Sequence, residues 1–318
     1  DVDSIGHEIS DDRFLQKHID AVLALKLVDK QAIQAVGFSV AIDCVNSVGG
    51  IAIPVLLEQL GVKIIHKLYC EPNGQFPHNP EPLPEHLTYI SNLIQQVKAD
   101  VGFVVDPDVD RLAIVCENGA MFGEEYTLVS IADYILSQTP GNTVSNLSST
   151  RALRDITKKH GQQYMASAVG EINVVEKMKA VGAVIGGEGN GGIIYPEIHY
   201  GRDALVGIAL FLTQLAKSKL KVSDLRASYP SYSISKNKIE LSPTVDMEKL
   251  LSEVAEYYNM FDVNTIDGVK IDFPDKWIHL RKSNTEPIIR IYAEAQTMQE
   301  ADALIAEMNL LVKAKIGN

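Results

Sequence analysis

Cysteine is scarce in this chain of 318 residues: there are three, Cys44, Cys70 and Cys116, and none belongs to a Cys-x-x-Cys pair. An odd count without paired spacing supports neither a disulfide framework nor a cysteine-held zinc ion, so the expected compartment is a reducing one, the cytoplasm. Positive charge is also in deficit, with 29 Lys and Arg against 41 Asp and Glu and a formal net charge of -12. No basic stripe offsets that excess, which excludes nucleic acid as an expected partner. Long apolar runs are missing too: nothing approaches the roughly 18 residues that cross a bilayer. The opening Asp1-Val2-Asp3-Ser4 lacks a charged-then-apolar leader pattern. The expectation is a protein that neither spans a membrane nor is secreted, and a start without Met fits a piece cut from something longer. What is present, 46% hydrophobic residues and length enough for two or three domains, describes a globular protein.

Apolar periodicity divides the chain. Phe14, Ile19, Val22, Leu23, Leu25, Leu27 and Val28 recur among charges, predicting one opening helix with no strand nearby to pack on. A strand and helix alternation follows: strand over 38–43, a turn at Asn46-Ser47-Val48-Gly49-Gly50, helix over 51–60 stopped by Gly61, strand over 62–65. Five of the thirteen prolines fall between Glu71 and Pro84, which makes that stretch irregular loop. A helix over 85–98 then leads into a strand at 101–105. From Gly141 the rhythm repeats: strand over 143–147, a helix capped by Ser149 and ending near Gly161, strand over 163–166, helix over 171–180, strand over 183–185 and helix over 203–217. After Tyr229-Pro230 come strands at 234–241, 269–273, 278–280 and 288–292, with helices over 247–258 and at the C-terminus. The expected fold class is α/β: two α/β units with mostly parallel mixed sheets plus a smaller C-terminal α+β domain.

The most informative segment is Asp106-Pro107-Asp108-Val109-Asp110-Arg111, three carboxylates at every second position between two apolar runs. Anions held this closely repel one another unless a cation sits among them, and a hard divalent metal is the natural partner of Asp106, Asp108 and Asp110. The competing reading is a solvated acidic turn; buried flanking strands would instead aim all three side chains at one point. An EF-hand loop also opens Asp-x-Asp-x-Asp, yet its sixth position requires glycine and here holds Arg111, and strands replace the flanking helices. The haloacid-dehalogenase phosphatases carry Thr or Val where Asp110 stands. Arg111 can tie a carboxylate or reach an anionic substrate.

Two further loops carry chemistry. Gly186-Gly187-Glu188-Gly189-Asn190-Gly191-Gly192 lets the backbone approach a ligand, and Glu188 and Asn190, both able to face outward, suit sugar hydroxyls. A dinucleotide fingerprint would need a first strand before it and a helix directly behind, and neither is there; a plain wide turn is the alternative. Arg281-Lys282-Ser283-Asn284-Thr285-Glu286-Pro287, followed by Arg290, gathers two guanidiniums, an ammonium, two hydroxyls and an amide into an anion trap between strands. Phosphate is the expected guest. His66, His78, His86, His160 and His279 are isolated and expected to be surface or core fillers, while His199, beside Tyr200 and Arg202-Asp203, is the one closest to a site.

Together, in this order and spacing, the three loops resemble the α-D-phosphohexomutase superfamily, which includes phosphoglucomutases, phosphomannomutases and phosphoglucosamine mutases. The likeness covers nearly the whole chain. It implies Mg²⁺ on Asp106, Asp108 and Asp110 with Arg111 on the substrate side, and Glu188 and Asn190 on the sugar's 3- and 4-hydroxyls. Arg281, Ser283, Asn284, Thr285 and Arg290 would hold phosphate. The implied activity moves a phosphoryl group between O1 and O6 of an α-D-hexose phosphate, with a hexose 1,6-bisphosphate as intermediate or activator. The implied partner is a phosphorylated hexose.

The departures from that pattern matter as much. Family members begin with a domain carrying a phosphoserine in a Ser-His-Asn-Pro loop; that loop is absent here, since the similar His78-Asn79-Pro80 follows Pro77 and lies in the proline-rich stretch of what resembles the second domain. The expectation is a fragment, inactive alone, in which residues 1–36 are the closing helix of a first domain that acts in cis. Residues 37–138 would then bind metal, 139–230 sugar and 231–318 phosphate. Gly192 stands where the commoner sugar loop has histidine, which removes a general base there. Asn190 and Glu171 look more like archaeal-style members.

Overall fold

The computed structural model describes residues 6–7, 9–240, 245–283 and 288–316. Two helices open it, α1 (Phe14–Leu23) and α2 (Lys30–Val36), where a single one was expected. Asp29 breaks the run: it leaves helical geometry and caps α2, its carboxylate accepting the Ala32 N–H at 3.0 Å.

The first sheet comprises β1 (Ser39–Asp43), β2 (Ile64–Leu68), β3 (Val101–Val105) and β4 (Leu112–Cys116), with α3 (Gly49–Leu60) and α4 (Thr88–Val97) between strands. Its order is β2-β1-β3-β4, parallel except for β4. Gly61, at φ 89°, ends α3 as expected. Helix α4 begins three residues later than expected because Pro84 opens a short 3₁₀ turn instead. All five residues of β3 are buried, as befits an inner strand covered on both faces.

The second unit runs α5 (Glu124–Gln138), β5 (Asn142–Asn146), α6 (Ala152–Lys159), β6 (Tyr164–Ser167), α7 (Glu171–Val181), β7 (Ala183–Gly187), β8 (Ile193–Ile194), α8 (Ala204–Ser218) and α9 (Val222–Ala227). Strand order is β6-β5-β7-β8, with β8 antiparallel. Ser149 does not cap α6: its hydroxyl donates to Asn146 Oδ1 and accepts the Gly189 N–H, each at 3.1 Å. Thr150 Oγ1 takes the Ala152 N–H at 3.2 Å in its place. Helix α8 is buried from Ala204 to Ala216, apolar on every side, and lies in one core that both units share. Against it pack α1, α2 and α3, so Ile19, Val22 and Ile33 of the opening helices are fully buried in that core. The opening helices have a packing partner after all, contributed by chain nearly two hundred residues downstream.

The last unit is β9 (Ser233–Glu240), α10 (Met247–Tyr257), β10 (Asp262–Asn264), β11 (Val269–Asp272), β12 (Trp277–Lys282), β13 (Ile288–Ala295) and α11 (Met298–Ile316). Its sheet is antiparallel throughout, ordered β10-β11-β12-β13-β9. Alternation sorts its faces: Ile278, Leu280, Ile289 and Ile291 join a separate core under α10 and α11. Trp277, His279 and Arg281 alternate with those residues, and His279 and Glu294 reach Ser148 and Arg151 of the second unit. The observed architecture is the expected one, two mixed α/β units and an antiparallel α+β unit. Among the described residues no helix is long and apolar enough to cross a membrane.

Candidate functional site

Val105 pairs with Leu112, so residues 106–111 form a tight loop at the carboxyl end of β3. That end of a largely parallel sheet is where α/β proteins place ligands. Asp106 is buried and organises the loop, its Oδ1 accepting the N–H groups of Asp110 at 3.1 Å and Arg111 at 3.0 Å. Val109 sits at φ 63°, a region that β-branched residues rarely enter. It is strapped there, its N–H on Asp106 O at 3.2 Å and its carbonyl accepting the Ala204 N–H at 3.1 Å. One oxygen from each of Asp106, Asp108 and Asp110 lies within 4.8 Å of the others. Burial pushes the Asp106 carboxyl up to about 7; the Arg111 N–H opposes this, and Asp110 and Asp108 add to it. Such an anion cluster is short of positive charge. Asp110 Oδ1 is buried without a hydrogen-bond partner. Three hard carboxylate oxygens gathered this closely fit a small divalent cation.

Arg202 connects this loop to the rest of the site, and sequence reasoning did not single it out. Its side chain is 14% exposed; Nη2 pairs with Asp110 Oδ2, Nη1 with Glu188 Oε2 at 3.2 Å, and Nε with Glu171 Oε2 at 3.4 Å. The Arg202 N–H also donates to Glu171 Oε1 at 3.0 Å. The available signal was its position, an arginine between a glycine loop and Asp203, the cap of α8, in an acidic chain. Glu188, pictured as outward-facing, is buried, with Asn146 Nδ2 donating to Oε1 at 2.9 Å and Arg202 holding Oε2. Asn190 is half-buried, and its Oδ1 accepts the Gly192 N–H at 3.2 Å.

Backbone contacts fuse the glycine loop to the aspartate loop. Arg111 forms a bridge with Gly192, and Leu112 N–H donates to Gly191 O at 3.1 Å. Gly191 has φ 89°, and a Cβ there would fall 2.5 Å from Leu112 O, so this position needs glycine. Arg111 lies across the cluster, Nε 3.4 Å from Asp106 Oδ2 and 3.8 Å from Asp110 Oδ1, while Nη1 donates to Glu81 Oε1 at 3.3 Å.

The arginine loop belongs to the C-terminal sheet. Arg281 and Arg290 stand directly opposite each other on β12 and β13 and therefore on one face. Arg281 Nη1 lies 3.4 Å from Asp267 Oδ2, which also accepts the Val169 N–H at 2.9 Å. Val169 opens the turn that carries Glu171, so a chain of polar contacts runs from Arg281 through Asp267 and that turn to Arg202. Arg290 lines a cavity of about 330 Å³ with Lys236 and Lys238. Ser283 is buried at the end of β12, its N–H on Ile288 O at 3.0 Å. Asn284 and Thr285 lie outside the described residues.

His199 is tied down: its Nε2 is 3.0 Å from Asp203 Oδ2, and His18 of α1, not singled out from sequence, reaches the same oxygen at 2.8 Å. His78 pairs with the buried Asp43 at 3.1 Å. His279 is buried between Ser148 Oγ at 2.9 Å and Asp267 O at 2.7 Å.

Three family models match in sequence: phosphoglucomutase/phosphomannomutase α/β/α domain II over residues 16–119, α/β/α domain III over 123–232 and the C-terminal domain over 241–311. A probable phosphoglucosamine mutase of Methanopyrus kandleri is 30% identical over 317 residues, covering 98% of this chain and 68% of its own length. A phosphoglucomutase/phosphomannomutase of Thermococcus kodakarensis is 33% identical over 298 residues, covering 92% of this chain and 64% of its own length. The solved structure of a phosphoglucomutase/phosphomannomutase family protein from Burkholderia thailandensis superposes with a TM-score of 0.83 at 25% identity, over 96% of this chain and 65% of that one. The present chain thus spans about two thirds of the length of these relatives. With its three units matched in order by the family's own domains II, III and C-terminal, this chain belongs to the phosphoglucomutase/phosphomannomutase family.

Proposed function

We propose that these residues form the metal-, sugar- and phosphate-binding parts of a phosphohexomutase that moves a phosphoryl group between O1 and O6 of an α-D-hexose phosphate. The observation that carries the reading is the joining of the aspartate and glycine loops: Arg202 contacts both Asp110 and Glu188, and Leu112 is bonded to Gly191. A cation on the one and a sugar on the other would be held at fixed separation, which is what an in-line transfer requires. Asp106, Asp108 and Asp110 would hold Mg²⁺, which when bound supplies charge that offsets a phosphoryl group. Arg111, beside that triplet, would face the substrate. Glu188 and Asn190 would bond the sugar hydroxyls, Glu188 exchanging its Arg202 contact to do so. Arg281, Ser283, Asn284, Thr285 and Arg290 would grip the phosphate that does not react, and a hexose 1,6-bisphosphate would be the intermediate.

No Ser-His-Asn-Pro loop occurs in these 318 residues, since Pro77 precedes His78. The phosphoryl donor would therefore come from a preceding domain, with the first α/β unit, opening helices included, binding metal, the second, which begins at α5, binding sugar and the C-terminal unit binding phosphate. Val48 and Ile51, each about half exposed, line a 400 Å³ cleft with Asp108 and Arg202, an apolar rim suited to such a domain. The alternative reading is a non-catalytic Mg²⁺-dependent phosphosugar-binding protein.

The test is calorimetry on this chain with Mg²⁺ and with glucose 6-phosphate. Mg²⁺ is expected to bind, and more weakly to Asp108→Asn; equal affinity in both sinks the metal assignment. Sugar phosphate affinity should fall in Arg281→Ala, and no change there would remove that loop from the site. Adding the phosphoserine domain of a relative separates the two readings, since turnover appears under the first and not under the second.

A further inference from the structure

Between the second unit and the C-terminal sheet lies a cavity of about 210 Å³ that plays no part in the site above. Its walls include Arg151 and Arg154 from the start of α6, Lys270 and Asp272 from β11, and Asp262 from β10. Arg151 is 8% exposed and Lys270 5%. Arg151 Nη2 donates to Pro274 O at 2.9 Å, whereas Nε and Nη1, one N–H and two, are buried with no acceptor. Arg154 Nη1 reaches Asp272 Oδ1 at 3.2 Å, and its Nε too is buried with no acceptor. Lys270 Nζ stands 3.8 Å from Asp272 Oδ2, too far for a hydrogen bond, and 4.4 Å from the Trp277 ring centre.

Of the two carboxylates in the cavity wall, Asp272 is half-buried and Asp262 is exposed to water. Glu294 stands behind Arg151: its Oε1 accepts the Arg151 backbone N–H at 3.0 Å and Trp277 Nε1–H at 2.7 Å, and its Oε2, like Arg151 Nε and Nη1, is buried with no hydrogen-bond partner. Burial lowers the Lys270 pKa, and Arg154 and Arg151 press it further down against the pull of Asp272 and Glu294. Buried guanidinium N–H groups without acceptors are rare in folded proteins and mark a missing partner.

We propose that this cavity is a second oxyanion site, in which Arg151, Arg154 and Lys270 take a small inorganic anion of the phosphate class. Guanidinium forks match the oxygens of a tetrahedral oxyanion, which offers acceptors to Arg151 Nε and Nη1 and to Arg154 Nε at once. Pockets for drug-sized ligands start near 300 Å³, so the cavity suits the free anion and not a hexose phosphate. Its ligands come from two units, and an occupant ties α6 to the C-terminal sheet.

The test is titration of this chain with inorganic phosphate by calorimetry, in the wild type, Arg281→Ala, Arg151→Gln and Lys270→Met. Arg281→Ala is expected to keep one phosphate site, and in that background Arg151→Gln or Lys270→Met should weaken the remaining site at least tenfold. Loss of all phosphate binding in Arg281→Ala overturns the proposal, as does a remaining site indifferent to both cavity substitutions. If Arg151→Gln does not fold, Lys270→Met decides. Displacement of phosphate from the Arg281→Ala protein by glucose 6-phosphate would overturn the assignment to a free anion. An Arg281→Ala protein with undiminished sugar phosphate affinity bears on the proposed function alone.

Discussion

Replacing Arg202 by Met removes the cation that Asp110, Glu188 and Glu171 share. Breaking a buried ion pair by deleting one partner costs about 3–5 kcal/mol. Glu171 is 35% exposed and water relieves it, which places the cost at the low end, about 3 kcal/mol. At roughly 2 °C per kcal/mol for a chain of this size, the thermal midpoint followed by circular dichroism should drop about 6 °C in the absence of metal. Arg202 also occupies Asp110, so its removal should raise Mg²⁺ affinity about tenfold, which at saturating metal returns about 1.4 kcal/mol through binding linkage. The deficit should then shrink to roughly 3 °C. A midpoint within about 1 °C of wild type, or a deficit that Mg²⁺ leaves untouched, would refute the idea that Arg202 and the metal act on the same carboxylate.

Gly191→Ala forces a Cβ to 2.5 Å from Leu112 O at φ 89°, so it should destabilise by more than about 1 kcal/mol in urea and weaken Mg²⁺ binding; a neutral result would show the loop can give way. His18 is raised above its ordinary pKa by its hydrogen bond to Asp203, which burial would raise but which His18 and His199 hold down at about 2. That contribution is complete below the unfolded histidine value of about 6.5 and fades as pH rises through the folded one. His18→Gln should therefore lose more stability at pH 6 than at pH 9, and an equal loss at both would remove the charge argument. Burial holds His279 down at about 4, so it stays neutral in the fold while the unfolded chain takes up a proton below about 6.5. Between those values acid should cost up to about 3 kcal/mol, and His279→Gln should flatten that slope in urea titrations at pH 7 and pH 4.5.

The parts of the site that neighbouring residues build were legible in the sequence. Three aspartates at alternate positions between apolar runs needed no tertiary information to be read as a cation site, and Gly61 and Asp203 announced the ends of helices. What escaped depends on distant chain. Arg202 looks like one more surface charge until folding brings Asp110, Glu188 and Glu171 around it, and His18 is unremarkable until α1 lies on α8 beside Asp203. Glu188 was given the right neighbourhood and the wrong direction, because only the fold supplies Asn146 and Arg202 to turn it inward. Ser149 had cap chemistry, but Asn146 and Gly189 claimed its hydroxyl first.

The core that α8 shares between the first two units has a mechanical consequence. Apolar packing resists sliding, and parting those units would strip α8 bare from Ala204 to Ala216. The C-terminal unit is attached differently, through polar contacts such as Ser148 to His279, Arg151 to Glu294, Arg154 to Asp272 and Lys236 to Glu124. The C-terminal unit thus keeps a core of its own and meets the second unit across a polar boundary. The spacing from Asp110 to Glu188 is therefore set inside the shared core and by Arg202, independently of the sheet that carries Arg281, so the two halves of the site rest on separate foundations.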